Sequence, residues 1–417
     1  MYTANNAGAR ASTRSSSRSS TPVRLPSDRR RPGNTGGQLR GAGRALRNKK
    51  FIHPSKFIKT ATVTEKSEYV SVNTFSDFSL DSRILANVLA KGYNNPSPIQ
   101  DKTIPIVMQG RDLIGIANTG TGKTAAFALP LIHDLIHAMD HHAIIMAPTR
   151  ELAQQIQEEC LAFSKNCGLR TALLIGGASM NMQIRDLRRN PRLVIGTPGR
   201  IKDHLQQRTL SLSGITTAVL DEFDRMLDMG FIRDITSIFS AMPTNRQTLF
   251  FSATMEGEIE KHVRSFSHDA VTVSVRENVT VDSVNQDVVY YRAREEKIDK
   301  LHDLLIAKNR GKTIIFDDTK HSVERLCKAL VSRGFKADRI HGNKSQAQRT
   351  RAIKRLKENE IDILVATDVA ARGIDVADIS HVINYSQPNT YEDYVHRIGR
   401  TGRAGNTGNA YTFLEKE

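Results

Sequence analysis

A chain of 417 residues with 39% hydrophobic content is long enough for two cores. No run nears the roughly 18 consecutive apolar residues of a membrane helix, and the N-terminus lacks a signal peptide's apolar stretch, so a soluble, cytoplasmic protein without membrane contact is expected. The net charge of +16 is uneven: residues 1–50 hold 12 Arg or Lys against Asp28 alone, and the rest carries 48 basic against 43 acidic residues.

That basic segment is rich in Ser and Gly and poor in large apolar residues, so residues 1–60 are expected to form a disordered tail. Such a tail either binds phosphate backbones through counterion release or merely solubilises the chain, and composition alone weighs the two equally. Cys160, Cys167 and Cys327 have neither an even count nor zinc-ligand spacing, which leaves buried or inert thiols.

From about Phe75 onward, short apolar runs alternate with amphipathic stretches, the signature of parallel β-α-β units. "RDLIGIA", "AIIMAPT", "TALLIGG", "RLVIGTP", "TAVLDE" and "QTLFFSAT" read as buried strands ending in small, polar or charged residues. A second series follows with "DVVYYRA", "KTIIFDD", "KADRIHG", "DILVATD", "HVINYS" and "NAYTFLE". "SVRENVTVDSV" between them has no helical period and reads as a linker. The expectation is an α/β chain with a first domain over 70–276, a linker over 277–284 and a second domain over 285–417. The strands' C-terminal ends should carry the site, in a cleft between the domains.

"ANTGTGKT", Ala117 to Thr124, follows a strand and precedes an apolar helix, the context of a phosphate loop. Gly120 and Gly122 let backbone N–H groups face a polyphosphate at a helix N-terminus. Lys123 supplies a point charge and Thr124 a hydroxyl for magnesium. "AVLDEFDRMLDMGF" drops from an apolar strand into Asp221, Glu222 and Asp224. Alone, that is most simply an acidic helix start. Beside a phosphate loop, Asp221 can hold a magnesium ion through its water shell and Glu222 can deprotonate an attacking water.

These motifs, with "APTRELAQQI" and "SAT" in this order, resemble the DEAD-box RNA helicases of helicase superfamily two, over Phe75 to about Leu414. The resemblance implies two tandem RecA-like domains and ATP-dependent unwinding or remodelling of RNA, with ATP and Mg2+ as cofactors. It implies a motif around "GYNNPSPIQ" in which Gln100 hydrogen-bonds adenine and Phe75 packs on the base beside Tyr93. Thr119 and Thr121 would join the glycines around the phosphates. Pro148, Thr149, Arg150, Gly177, Thr197, Gly199 and Arg200 would hold the RNA backbone in the first domain, and Arg349 and Thr367 in the second. Ser252 and Thr254 of "SAT" would couple hydrolysis to strand separation, with Asp224 and His396 linking the acidic motif to the second domain. Gly373 would approach the phosphates and Asp375 the ribose. Arg400 and Arg403 of "HRIGRTGRAG" stand at the spacing of arginine fingers, reaching the triphosphate when the domains close.

The chain departs from the pattern at Phe223, which stands where the family's name-giving alanine sits, and more mildly at Ala117, Asn118 and Thr121. Room for the Phe223 ring, and its effect on coupling, therefore become questions for the structure. A clamp that closes on RNA with negligible turnover is the alternative that Phe223 raises, and a DNA-translocating relative is disfavoured by "PTRELA". The tail, joined to such a core, would anchor it to structured RNA, ribosomal particles or RNA-processing complexes. The sequence stops at "YTFLEKE", shortly after the last expected strand, so final helices common in relatives are expected either to be absent or to belong to a longer parent chain.

Overall fold

Each run of four to six apolar residues forms a strand, and the amphipathic stretches between them form the crossover helices. The computed structural model describes residues 52–61, 69–118, 120–255, 257–275, 283–307, 311–371, 376, 378–402 and 407–416, and Lys49–Glu417 form one compact unit. Most of the expected basic tail lies outside the described residues.

The first sheet has seven parallel strands: β1 (Leu113–Ala117), β2 (Ala143–Met146), β3 (Thr171–Leu174), β4 (Leu193–Gly196), β5 (Thr217–Leu220), β6 (Gln247–Ser252) and β7 (Val271–Val275). Their order is β3-β4-β2-β5-β6-β1-β7. The second sheet has six: β8 (Val284–Tyr291), β9 (Lys312–Phe316), β10 (Ala337–Ile340), β11 (Ile363–Ala366), β12 (Ile379–Asn384) and β13 (Gly408–Glu415), ordered β10-β11-β9-β12-β13-β8 and also all parallel. Central strands of parallel sheets covered on both faces are buried nearly throughout and read as apolar runs, whereas the edge strands β7, β8 and β10 are partly exposed and carry polar residues.

Successive side chains feed opposite layers. Leu113, Ile145, Val219 and Phe251 enter one core of the first sheet, while Ile114, Ile144, Ala218 and Phe250 enter the other. The second sheet repeats this with Ile314, Leu364 and Val382 on one face and Ile315, Val365 and Ile383 on the other. With all strands parallel, the residues after β1, β2, β3, β4, β5 and β6 share one edge of the first sheet, and those after β9 and β11 one edge of the second.

Three expectations change. Ser274 and Val275 of the expected linker stretch belong to β7, a strand the sequence reading missed, and Val284 begins β8. Residues 276–282 lie outside the described residues. Ile52 to Thr60, expected within the tail, are structured: a 3-10 turn (Pro54–Phe57) buries Phe57, and Lys59 forms an antiparallel bridge with Gln286. An anchoring aromatic and the unpaired outer edge of β8 give this stretch partners that its composition did not suggest.

Candidate active site

The loop after β1 turns through left-handed backbone at Gly120 (φ 84°) and Gly122 (φ 89°) before the helix Lys123–His137 begins. Gly122 is required twice over, since a Cβ there would also lie 2.4 Å from Gln100 Nε2. Ser97 Oγ donates to the Thr121 carbonyl at 2.8 Å and Gln100 Nε2 to the Gly122 carbonyl at 3.0 Å. Lys123 is buried and donates to the Ala117 carbonyl at 3.0 Å, so its ammonium is held beneath the loop. Thr124 is half-buried in the first turn of the helix, and Thr119 lies outside the described residues.

Gln100 is therefore bound to the loop itself. Its Oε1 accepts the Ser97 N–H at 2.9 Å in a capping box, which orients the amide toward Gly122. Phe75 is buried in T-shaped contact with Phe78 and Tyr93, with ring centroids 6.0 and 6.3 Å away. Asp101, one residue past Gln100, escaped the sequence reading. It accepts from the Tyr69 hydroxyl, the Val72 and Asn73 main chain and the Asn73 amide, all within 3.1 Å, and fixes the segment that leads to Phe75. Burial and the Asp101 partner push the Tyr69 phenol up to about 12.

Two strands from β1, β5 ends in Asp221 and Glu222, both buried. Glu222 adopts left-handed backbone (φ 52°, ψ 51°), a strained state for a residue with a side chain and one that clusters at functional sites. Burial pushes the Asp221 carboxyl up to about 7, against the opposing pull of Lys123, and neighbouring Glu222 adds to the rise. A buried carboxylate whose charge is incompletely compensated, with a threonine hydroxyl at the loop, suits a magnesium ion that keeps most of its own waters. Asp224 accepts from the Ala253 N–H at 3.3 Å and the Thr254 hydroxyl at 3.4 Å, and Ser252 Oγ donates to the Thr254 carbonyl at 2.6 Å. Asp224, Ser252 and Thr254 are thus one bonded group inside the first sheet's edge. Phe223 turns away from it into the core, fully buried and 5.1 Å from Phe250.

The other half of that edge, after β2, β3 and β4, carries the remaining first-sheet residues. Thr149 caps the helix Arg150–Phe163 by accepting the Leu152 N–H, and Pro148 is buried before it. Arg150 lies against the glycine pair after β3: a Cβ on Gly177 (φ +80°) would be 2.4 Å from its Nη1. Thr197 and Gly199 open the helix Pro198–Gln206, whose Arg200 donates to the Ala178 carbonyl at 3.2 Å. One sheet edge therefore holds a phosphate-loop half and a half lined by arginines and helix N-termini.

From the second sheet, Arg349 reaches the helix Arg150–Phe163 instead of standing open to a ligand. Its Nη2 donates to Glu151 Oε2 at 2.7 Å, both side chains are buried, and Gln346 donates to Glu151 and Gln154 at 3.1 and 2.7 Å. Thr367 is half-buried at the start of the helix Asp368–Ala371. His396 is half-buried on the helix Tyr391–Ile398, with Arg400 buried just beyond it. Arg397, between them, was not singled out in the sequence. It forks onto Asp368 at 2.6 and 2.8 Å and donates to the Ser386 carbonyl at 2.7 Å. Gly373, Asp375 and Arg403 lie outside the described residues.

Comparison with known proteins agrees with this division. Residues 97–262 match the family model described as DEAD/DEAH box helicase, and 296–405 that described as helicase conserved C-terminal domain. The chain is 47% identical over 343 residues to the ATP-dependent RNA helicase CshA of Listeria monocytogenes, covering 82% of this chain and 66% of that protein. It is 44% identical to the DEAD-box ATP-dependent RNA helicase CshA of Bacillus subtilis, covering 82% and 69%. The chain thus spans about two thirds of the length of the curated relatives it matches. Among solved structures, S. cerevisiae Dbp5 bound to RNA and ADP BeF3 aligns with a TM-score of 0.74 at 30% identity, over 82% of this chain and 90% of that one. Among the described residues, no helix is long and apolar enough to cross a membrane.

Proposed function

Since the chain belongs to the DEAD-box helicase family, we propose that it is an ATP-dependent RNA helicase that binds single-stranded RNA across its two sheets and locally unwinds or remodels RNA. The observation that carries this reading is the joint placement, on one sheet edge, of the phosphate loop, Asp221 and Glu222 beside the Arg150 half. The loop's backbone N–H groups and Lys123 hold the triphosphate. Magnesium, when bound, offsets phosphate charge, with Asp221 and Thr124 as the residues that would hold it. Glu222 accepts the proton of the attacking water. Asp224 joins that event to Ser252 and Thr254 through its bonds at Ala253 and Thr254.

On the RNA side, Thr149, Arg150, Gly177, Thr197, Gly199, Arg200 and Thr367 contact phosphates and 2′-hydroxyls, which makes binding indifferent to base sequence yet selective for RNA. Arg349 joins the two sheets through Glu151, and Arg400 and Arg403 offset charge on the transferred phosphoryl group when the cleft closes. Gly373 and Asp375 complete the nucleotide contacts. The basic tail adds a sequence-independent RNA anchor whose affinity falls steeply with salt, suited to ribosomal particles or RNA-processing complexes in the cytoplasm.

The test is ATP hydrolysis with and without single-stranded RNA in the wild type and in Glu222→Gln. The expected result is RNA-stimulated turnover that falls by about 10²–10⁴-fold in the variant, the usual worth of a positioned base. Equal turnover in both chains would overturn the assignment of Glu222, and ATP-dependent RNA binding without turnover in the wild type would favour a clamp.

A further inference from the structure

The stretch ahead of the first sheet docks on the second. Lys59 and Gln286 exchange both main-chain hydrogen bonds, at 3.0 and 2.7 Å, along the outer edge of β8, and the Ala61 N–H donates to Asn285 Oδ1 at 2.9 Å. Phe57 is fully buried in the second core, edge-on to Tyr394 with centroids 4.8 Å apart. Lys56 lies over the Tyr391 ring at 5.2 Å. The turn that presents these groups is built locally, by Pro54 and by His53, whose Nδ1 accepts the Ser55 N–H at 3.3 Å.

These contacts converge on the helix Tyr391–Ile398. Tyr394 is fully buried and donates its hydroxyl to Gln286 Oε1 at 2.9 Å, so one glutamine is tied by its backbone to the docked stretch and by its side chain to the helix. Arg400 follows directly, its main-chain N–H donating to the Arg397 carbonyl at 3.1 Å. Phe57 packs on Tyr394 within the second core, and without that ring the helix would lose this contact.

We propose that His53–Ala61 is an intramolecular strap that positions the helix Tyr391–Ile398, and through it Arg400, for phosphoryl transfer. Phe57 is its anchor and acts as a positioning residue, since it touches the helix and no reacting atom. The kinetic half of the proposal rests on the ATP-hydrolysing reading above; the docking half does not. A group held slightly out of place near a transition state costs rate with little effect on ground-state binding, and a displacement of about 1 Å can cost about 10²-fold.

The experiment compares the full chain with Phe57→Ala, Phe57→Leu and Lys59→Pro, the last of which keeps the ring and removes the main-chain donor. Amide hydrogen exchange at Gln286 and across Tyr391–Thr401 should accelerate by about tenfold or more in Phe57→Ala and Lys59→Pro, with the first sheet unchanged. In RNA-stimulated hydrolysis, kcat should fall by about 10-fold to 100-fold with KM for ATP within about twofold, and Phe57→Leu should recover most of the loss. Wild-type exchange at Gln286 in both variants would overturn the strap. Unchanged kcat with accelerated exchange would overturn its role in positioning Arg400. A wild-type chain without hydrolysis would overturn the functional reading and the positioning role together, while exchange still decides whether the strap docks.

Discussion

The two sheets hold their functional side chains by different means. In the first, the charged groups sit at the ends of neighbouring strands and are held by atoms close by: Lys123 by the Ala117 carbonyl, Asp221 by the Glu222 N–H, Asp224 by the loop after β6. In the second, Arg397 lies on a helix fastened from several directions, by Asp368 on one side and by the strap on another, and Arg400 follows just past its end. The first sheet's groups are thus fixed where they stand, whereas in the second the groups proposed to act on closure depend on how firmly their helix is held.

The largest effect expected from breaking this contrast comes from Arg397→Ala. The guanidinium is buried and makes a fork to Asp368 with a further bond to Ser386, so its loss leaves a carboxylate without its main partner. Removing one member of a buried pair costs about 3–5 kcal/mol. Denaturant unfolding followed by segment-resolved hydrogen exchange should place that loss in the second sheet alone. A cost below about 1 kcal/mol would mean the pair behaves as a surface ion pair and that the helix is held by other contacts.

Phe223→Ala tests the first sheet in the same way. The ring packs on Phe250 on the core side, away from the Asp224, Ser252 and Thr254 group. Truncation should cost about 3 kcal/mol, the low end for a buried phenylalanine because the short helix Phe223–Asp228 can settle into the space. RNA-stimulated hydrolysis should stay within about threefold of wild type at temperatures where the chain remains folded. A larger kinetic effect would show that Phe223 does reach the coupling residues, and the contrast between core and site at this position would fail.

The parts that were legible in the sequence share a physical cause. β1, β2, β4, β5, β6, β9, β11 and β12 are buried along nearly their whole length and read as largely apolar runs, whereas β10, with Asp338 and Arg339, is mostly half-buried; the phosphate loop was legible from its strand-loop-helix context, and the acidic strand end only beside it. β7 was missed because it is an edge strand whose exposed and buried residues alternate over only five positions. The strap was missed because its apolar residues come only as the short pairs "FI" at 51–52 and 57–58 with no strand or helix period, and Phe57 and Lys59 find their partners on the last helix and β8, far along the chain. The bonds that seat Gln100, its capping box with Ser97 and its contact to the Gly122 carbonyl, were not legible, because the loop and the helix start that make them lie some twenty residues apart. The ion pair of Arg349 with Glu151 was not legible either, since it depends on how two helices distant in the chain meet, which spacing alone does not report.

The smallest effect concerns the loop after β10, where the second sheet does use a local device like those of the first. Glu324 accepts from Arg339 Nε and His341 Nε2, both at 2.9 Å, and from Lys344 Nζ at 2.5 Å. His341 Nδ1 in turn accepts the Asn343 N–H at 3.3 Å, which fixes the ring with its proton on Nε2. The Lys344 bond, helped by His341 and Arg339, holds the Glu324 carboxyl down at about 2 from its ordinary 4.5. A carboxylate with a lowered folded-state pKa contributes stability fully above its unfolded value and loses it as pH falls toward the folded one. The stability gap between wild type and Glu324→Gln should therefore be constant above pH 4.5 and narrow steadily below it toward pH 2. With about a third of the side chain facing solvent, the gap at neutral pH should be on the order of 1 kcal/mol. A gap that instead persists unchanged down to pH 3.5 would mean that the carboxylate's charge is not what holds the loop.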